Sequence, residues 1–255
     1  MIIDTNVHLG RWPFRHSPWN TTAAIVAKLK TFKITLACAG SCDAVFDKDL
    51  GGVNERLARE CKELGEGLLI PFGSVNPKLP DWRDEVFRCR EHHAMKGIRL
   101  YPGYHGYKLD DPLVVELLVD AAMSGLFVQI VMQVEDFRTQ HPLMQVPPVD
   151  ITPLPGVIAK CREIKLQVLN STAVIPEQIL VPLARSNRVC FDFAMIEGVG
   201  GLGRFAEKTG PAAVLFGSHF PLFYVDSAVL KVREAGLTDA DTEAILSGNA
   251  RRILG

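Results

Sequence analysis

The chain has 255 residues, a formal net charge of −1 and 47% hydrophobic residues. This length suits one α/β barrel or two small domains, and the composition allows a large buried core. The near-zero charge provides no overall field for nucleic acid or for an anionic membrane, so neither is an expected partner. We find no apolar run of about 18 residues that could span a membrane and no signal-peptide pattern. We therefore expect an intracellular, cytoplasmic protein.

The six cysteines are spread along the chain, mostly in apolar or helical surroundings. They lack the paired spacing of a metal-binding knuckle. We expect reduced, buried thiols, as is usual inside the cell.

Short apolar runs alternate with amphipathic ones along the whole chain, a pattern typical of β-α units on a parallel sheet. We predict eight strands, the number that closes a (β/α)8 TIM barrel, at 2–5, 34–39, 68–73, 96–100, 127–132, 165–169, 189–193 and 212–216. The helices are predicted at 22–31, 53–64, 82–93, 112–124, 152–162, 176–185, 202–208 and 224–235, with further turns at 239–253. No linker or repeat divides the chain, so we predict one barrel domain over residues 1–255.

Two long insertions follow predicted strands one and five, at 11–20 and 134–150. Long loops at the C-terminal ends of barrel strands commonly form lids or pocket walls. The first contains Arg11-Trp12-Pro13-Phe14-Arg15, and Trp and Arg are favoured at interfaces. We predict a lid or a contact in a homo-oligomer; the alternative is a loop that packs on its own barrel.

Polar side chains are expected to converge where the barrel strands end. Asn6 and His8 are two residues apart, so in a strand they point to the same side. The C-terminal ends of all strands meet over one mouth, which would gather Asn6, His8, Asn76, Arg99, Tyr101, Gln133, Asn170, Asp192, Ser218 and His219. This set predicts a hydrogen-bonding pocket that tolerates anions.

Each of these residues also has a structural alternative. Asn6 and His8 could seal the barrel, His219 could be a core or capping histidine, and Arg99 could pair with Asp192. The loop residues His105 and His141 could fold over the mouth as substrate contacts, although surface positions are favoured for both.

Five motifs in order resemble the amidohydrolase-related family: IDTNVH at 3–8, GSVNP at 73–77, KGIRLYP at 96–102, FGSHFP at 216–221 and GNARRIL at 248–254. The resemblance runs nearly from end to end. It implies a (β/α)8-barrel fold and an enzyme, in a family that contains hydrolases and some non-oxidative decarboxylases.

The resemblance also implies a divalent metal site, but this chain departs from the family pattern. Members usually carry His-x-His after strand one, further histidines after strands five and six, and an Asp after strand eight. The matching positions here are Asn6 and His8, Val131 or a neighbour, Asn170, and His219. Amides are poor zinc ligands, so we expect either no cofactor or one zinc or manganese at Asn6, His8 and His219.

Imidazole can act as a general base near neutral pH, so His219 could replace the missing carboxylate with His8 as its partner. Asn6 and Asn170 would orient the catalytic groups, with Arg99 and Tyr101 on a substrate carboxylate or oxyanion, and Gln133 and Asp192 nearby. We predict a lactonase-like hydrolase of a small carboxylate-bearing cyclic ester or amide. The alternatives are a non-oxidative decarboxylase and a catalytically inactive ligand-binding barrel.

The stretch Gly198–Gly203 fits the G-x-G-x-x-G pattern of dinucleotide-binding proteins. That pattern belongs in the first β-α turn of its fold, whereas here it follows strand seven. We therefore expect no nucleotide, although a phosphate at this helix start is a further alternative.

Overall fold

The computed structural model describes residues 1–171 and 175–255. Seven parallel strands form one curled sheet, and each strand pairs with the next one in sequence. The strands are β1 (Ile2–Leu9), β2 (Ile34–Ser41), β3 (Leu69–Ser74), β4 (Gly97–Leu100), β5 (Phe127–Val131), β6 (Leu166–Leu169) and β7 (Val189–Phe191). The predicted alternation of strands and helices is therefore found for the first seven units.

Most helices lie between successive strands in the chain, and the last four follow β7. They are α1 (Thr22–Thr31), α2 (Leu50–Leu64), α3 (Trp82–Phe87), α4 (Pro102–His105), α5 (Pro112–Met123), α6 (Leu154–Lys160), α7 (Glu177–Arg185), α8 (Gly201–Thr209), α9 (Val225–Glu234), α10 (Asp239–Glu243) and α11 (Asn249–Leu254). Side-chain caps begin two of these helices: Asp111 accepts from Leu113 N, and Thr238 accepts from Asp241 N. Each cap satisfies a backbone N–H that the first turn leaves free.

Three helical regions differ from the prediction. The predicted helix at 82–93 is α3 followed by a π-helical turn, Arg88–His92, and the turns at 239–253 contain a second π-helical segment, Ala244–Gly248. The short α4 was not predicted; it starts at a proline and ends at Gly106, whose φ of +67° favours glycine.

The predicted eighth strand is wrong in its regular form. A 3-10 turn, Pro211–Ala213, occupies its start, and the residues after it form single bridges instead of a continuous ladder. Leu215 N still donates to Phe191 O on β7, and Phe216 O accepts from Thr5 N on β1. Phe216 N, however, donates to Ile245 O, and Ser218 N donates to the Asp4 side chain. The segment thus keeps some strand partners and finds others in a side chain and a C-terminal turn, and the full eight-stranded barrel is not confirmed.

The segment 214–220 nevertheless lies between the two edges of the sheet. Single parallel bridges join Val214 to Phe191 on β7 and Phe220 to Val7 on β1. It therefore places His219 beside the end of β1.

The hydrophobic core lies between the sheet and the helices, and residues such as Ile98, Leu117 and Val168 are fully buried there. All six cysteines are buried and unpaired, and burial raises the pKa of thiols such as Cys38, to about 12. No helix in the described part of the chain has both the length and the apolar character to cross a bilayer.

Candidate active site at the strand ends

A row of polar side chains crosses the inside of the sheet. Arg99, Gln129 and Gln167 occupy adjacent register positions on β4, β5 and β6. Arg99 Nε donates to Gln129 Oε1 at 2.9 Å, and Gln129 Nε2 donates to Gln167 Oε1 at 2.9 Å. Gln167 in turn donates to Thr5 Oγ1 at 2.7 Å on β1. The row is fixed on strands, so its side chains have little freedom.

Above this row lies a cluster of fully buried polar side chains, which we call the floor. Its members are Asp4, Asn6, His8, Arg99, Asn170, Asp192 and His219. They come from β1, β4, the ends of β6 and β7, and the irregular segment at 214–220. The strand-end positions that the sequence predicts are thus brought together.

Asn6 binds the ends of two neighbouring strands. Its Nδ2 donates to Asn170 Oδ1 at 2.7 Å and to Asp192 Oδ2 at 2.6 Å. Asp192 also accepts from the backbone N–H of Asn170 at 2.8 Å, which helps to hold that asparagine at a φ of +58°. Asn tolerates this left-handed conformation better than most residues. These bonds fix the side chain of Asn6 between the ends of β6 and β7.

His8 and His219 contact each other directly, with 3.1 Å between His8 Nε2 and His219 Nδ1. His219 Nε2 lies 2.6 Å from the carbonyl oxygen of Val134, which can only accept, so this nitrogen carries the proton. Nδ1 of a neutral His219 is then the acceptor, and His8 Nε2–H is its donor. The hydrogen bonds therefore define one tautomer for each ring.

Burial keeps both imidazoles neutral. It lowers the pKa of His219 to about 3, and the positive charge of Arg99 acts in the same direction. The pKa of His8 is also well below its usual value, first through burial and then through the charges of Arg99 and His219. A neutral imidazole is the form that can accept a proton.

The two floor carboxyls show the opposite shift, because burial disfavours their charged form. The pKa of Asp4 is raised to about 6, although hydrogen bonds from Ser218 and from Asn6 N oppose the rise. The pKa of Asp192 is raised to about 7, against hydrogen bonds from Asn6 and Asn170 N. Both carboxyls therefore titrate near neutral pH.

The guanidinium of Arg99 lies between three strands. Nη1 donates to Val7 O at 3.0 Å, and Nη2 donates to Cys38 O at 3.3 Å. Nη1 is also 3.4 Å from His8 Nε2 and 3.5 Å from its Nδ1. The alternative pairing with Asp192 is not found: among the described residues, no carboxylate forms an ion pair with Arg99.

A divalent metal does not fit this donor set. In the described ranges, no three His, Cys, Asp or Glu side chains are grouped to hold a metal ion. Of the expected ligands only His8 and His219 offer imidazoles, whereas zinc sites need about three good ligands. The Arg99 cation, 3.4 Å from His8 Nε2, would also repel a metal bound there.

The two insertions contact each other over the floor, and we call residues 11–20 and 134–150 the rim loops. Arg15 forms an ion pair with Glu135 at 3.1 Å and donates to Thr139 Oγ1 at 3.1 Å. Phe14 stacks on His141 with ring centroids 5.6 Å apart. The loops thus cover the mouth, as expected of a lid.

Two cavities lie at this mouth. One of about 370 Å³ is lined by the first rim loop, including Arg11 and Arg15, and by Gly10, Cys42 and Leu222 next to the strand ends. A second of about 200 Å³ is lined by Gln133 and by Asn170, where it reaches the floor. The first cavity has the volume of a small-molecule site.

The remaining predicted contacts lie around the floor. Tyr101 is buried, with its hydroxyl 3.4 Å from Ser41 O, and Gln133 accepts from Asn170 Nδ2 through its backbone oxygen at 2.8 Å. His105 Nε2 donates to Ala44 O at 2.9 Å, and His141 is exposed on the rim.

Three residues of the polar network were missed by sequence reasoning: Asp4, Gln129 and Gln167. Asp4 Oδ2 accepts from Ser218 Oγ at 2.5 Å, which ties the irregular segment to β1. The missed signal was a polar residue inside an apolar run, since a buried strand carries one only when it is hydrogen-bonded.

The glycine-rich stretch has a packing role. Gly198 and Gly200 have φ values of +86° and +65°, and a Cβ on Gly203 would lie 2.2 Å from the carbonyl oxygen of Ala235. The glycines therefore serve a turn and the close approach of α8 to the end of α9.

The sequence model described as Amidohydrolase matches residues 43–255. The comparison with curated protein sequences finds no significant match.

Solved structures match over the whole length at low identity. The 5-carboxyvanillate decarboxylase from Sphingomonas paucimobilis is 14% identical, with 99% of this chain and 98% of that chain covered and a TM-score of 0.75. The 2,6-dihydroxybenzoate decarboxylase from Rhizobium is 12% identical, with the same coverages and TM-score. The 4-oxalomesaconate hydratase from Rhodopseudomonas palustris is 16% identical over 100% and 95%, with a TM-score of 0.71. At these identities the likeness shows the fold alone.

Proposed function

This chain belongs to the amidohydrolase family, and we propose that it is an enzyme that removes carbon dioxide from a small aromatic or unsaturated acid without a catalytic metal. The proposal rests chiefly on the neutral His8–His219 pair beside the buried Arg99 cation. The decarboxylases among the similar structures support this reaction over ring-opening hydrolysis.

Substrate binding is assigned to the cavity above the floor. Arg11 and Arg15 line this cavity, so a carboxylate that enters it meets positive charge, and Arg99 is a further, buried cation in the floor. Attraction of this kind favours small anionic ligands. Tyr101, Gln133, His105 and His141 remain proposed contacts to the rest of the molecule.

The imidazole pair would supply the proton that the reaction requires. When the carbon–carboxylate bond breaks, carbon dioxide leaves and the electron pair stays on carbon, which then takes a proton. A bound carboxylate adds a negative charge beside the rings and favours the protonated form of an imidazole. His219 is the proposed donor, because its Nε2–H faces Val134 in a rim loop and would face the substrate once that loop moves.

Hydrolysis of a cyclic ester or amide is the second candidate. It is favoured by the neutral state of both histidines, which is the state in which an imidazole removes a proton from attacking water. Asn6 and Asn170 would orient the reacting groups in either reaction.

The test is a panel of hydroxylated aromatic acids, unsaturated dicarboxylic acids and lactones, with carbon dioxide and proton release measured in parallel. We expect carbon dioxide from at least one acid and a loss of about 100-fold or more in kcat for His219→Asn. Asn tolerates the φ of +59° at this position, so the fold should be kept. Proton release from a lactone would instead support hydrolysis.

A catalytically inactive binding barrel predicts a third result. It would bind a carboxylate in calorimetry without turnover, and His219→Asn would leave the affinity within about twofold.

A further inference from the structure

No carboxylate among the described residues forms an ion pair with the buried Arg99, which lies beside His8, one of the positions where the family resemblance implies a metal ligand. We infer that its guanidinium is the permanent cation of this active site and takes over the electrostatic role of the divalent metal. This inference rests on the proposed function only in assuming that the floor is the site of the reaction.

The backbone is built to hold this guanidinium in place. A Cβ on Gly40 would lie 2.7 Å from Arg99 Nη1 and 3.0 Å from Cζ, so the absence of a side chain on β2 creates the space. Val7 O, Cys38 O and Gln129 Oε1 then accept from three different nitrogens of the same group. Three strands and one glycine therefore fix the position of the charge.

The three groups that accept hydrogen bonds from Arg99 are neutral. They hold the guanidinium in one orientation but do not neutralise its positive charge. Two are backbone carbonyls and one is an amide, and no carboxylate of the described residues forms an ion pair with it. A buried charge is normally paired. An unpaired one beside the two histidines is complementary to an anion that is present only when substrate is bound.

Its distance from His8 connects this charge to the chemistry. Nη1 is 3.4 Å from His8 Nε2, the nitrogen that faces His219. Negative charge that develops on a substrate at the histidine pair therefore meets a fixed cation at short range in a region with little water. The same proximity disfavours a zinc ion at these rings, since two positive charges would be adjacent.

Zinc titration of the purified protein tests this directly. We expect Arg99→Met to bind zinc at least about tenfold more tightly than wild type, because the repelling charge is gone. Arg99→Lys is the matched control, because it loses the planar set of guanidinium N–H donors but keeps a positive charge. It should resemble wild type, and adding His8→Gln to Arg99→Met should abolish the gained site.

The inference is overturned if Arg99→Met, Arg99→Lys and wild type bind zinc equally. It is also overturned if wild type binds one equivalent of zinc with a Kd below about 1 µM, a result that needs no variant to fold. Circular dichroism establishes which variants are folded. A purely structural Arg99 predicts the same zinc affinity for the Met and Lys variants, because both lose the same set of hydrogen bonds.

Turnover provides a separate readout. Once a substrate is known, Arg99→Lys should retain at least about tenfold more kcat than Arg99→Met, because the charge and not the planar set of donors is required. Equal losses would contradict the inference. Because zinc binding is measured without substrate, failure of the proposed reaction and failure of the proposed role for Arg99 are distinguishable.

Discussion

The floor and the rim loops differ in how deeply their side chains are buried and in what holds them in place. Floor side chains are fully buried on strands or their ends, and each is held by partners on other elements, as Asn6 is by Asn170 and Asp192. The rim loops expose apolar groups such as Leu143 (89% exposed), and their side-chain contacts, such as that of Arg15 with Glu135 and that of Phe14 with His141, involve partly exposed groups. Chemistry is thus fixed by the sheet, whereas access and substrate choice belong to loops that can change.

Asp4→Ala should have the largest effect on the floor. It removes the acceptor for Ser218 N, Ser218 Oγ and Asn6 N, and it leaves two buried N–H groups unpaired. We expect a loss of about 3 kcal/mol in the free energy of unfolding, measured by urea denaturation at pH 7. The irregular segment would lose its main tie to β1.

Ser218→Ala is the control for this variant. It removes two hydrogen bonds, the one that Ser218 Oγ donates to Asp4 and the one that it accepts from Phe220 N, and should cost about 2 kcal/mol. Equal losses for both variants would show that the carboxylate does not organise the segment.

The second effect is on the pH dependence of stability. The pKa of His219 is about 3 in the folded chain, against 6.5 for a free histidine, so its stabilising contribution is present above pH 6.5 and is lost as the pH falls towards 3. Asp4 and Asp192 act in reverse, because their folded pKa values of about 6 and 7 exceed 3.8. Their favourable contribution is present below pH 3.8 and is lost as the pH rises to 7.

Between pH 4 and 6.5 the contribution of His219 to stability and that of the two carboxyls change in opposite directions with pH. The His219→Asn variant lacks the first contribution, so comparison with wild type isolates it. The stability of the variant relative to wild type should increase by about 1.4 kcal/mol for each unit of decreasing pH in this range. Urea denaturation at pH 4, 5, 6 and 7 measures it. Parallel curves for the two proteins would mean that His219 is hydrated and does not titrate abnormally.

The sequence predicted the floor better than it predicted the sheet. The family resemblance is confirmed, and the strand-end rule grouped Asn6, His8, Asn170, Asp192 and His219 correctly in space. The grouping could be predicted because side chains alternate along a strand and the C-terminal ends of parallel strands meet at one face. Both regularities can be applied from residue type and spacing alone.

The eighth strand and the role of Arg99 could not be predicted in the same way. The run at 212–216 has strand-like composition, but a 3-10 turn at Pro211–Ala213 and the hydrogen bond from Phe216 N to Ile245 O interrupt its pairing with the neighbouring strands. Likewise, the space for the guanidinium depends on Gly40 in another strand. Both depend on tertiary partners, which composition and period do not specify.

The rim should show the smallest effect. Glu135 is buried while Arg15 is 37% exposed, so Arg15→Met leaves a buried carboxyl without its cation. Burial already raises the pKa of Glu135, against the charge of Arg15, and losing that charge raises it further. After allowance for solvent screening, we expect a loss of about 1 kcal/mol, and Glu135→Gln in the same chain should restore most of it.

A double-mutant cycle with urea denaturation at pH 7 measures the coupling between Arg15 and Glu135. If the rim controls access and the floor controls chemistry, Arg15→Met should raise KM and leave kcat within about twofold. A large fall in kcat at unchanged KM would place Arg15 in the reaction itself and remove the distinction between floor and rim.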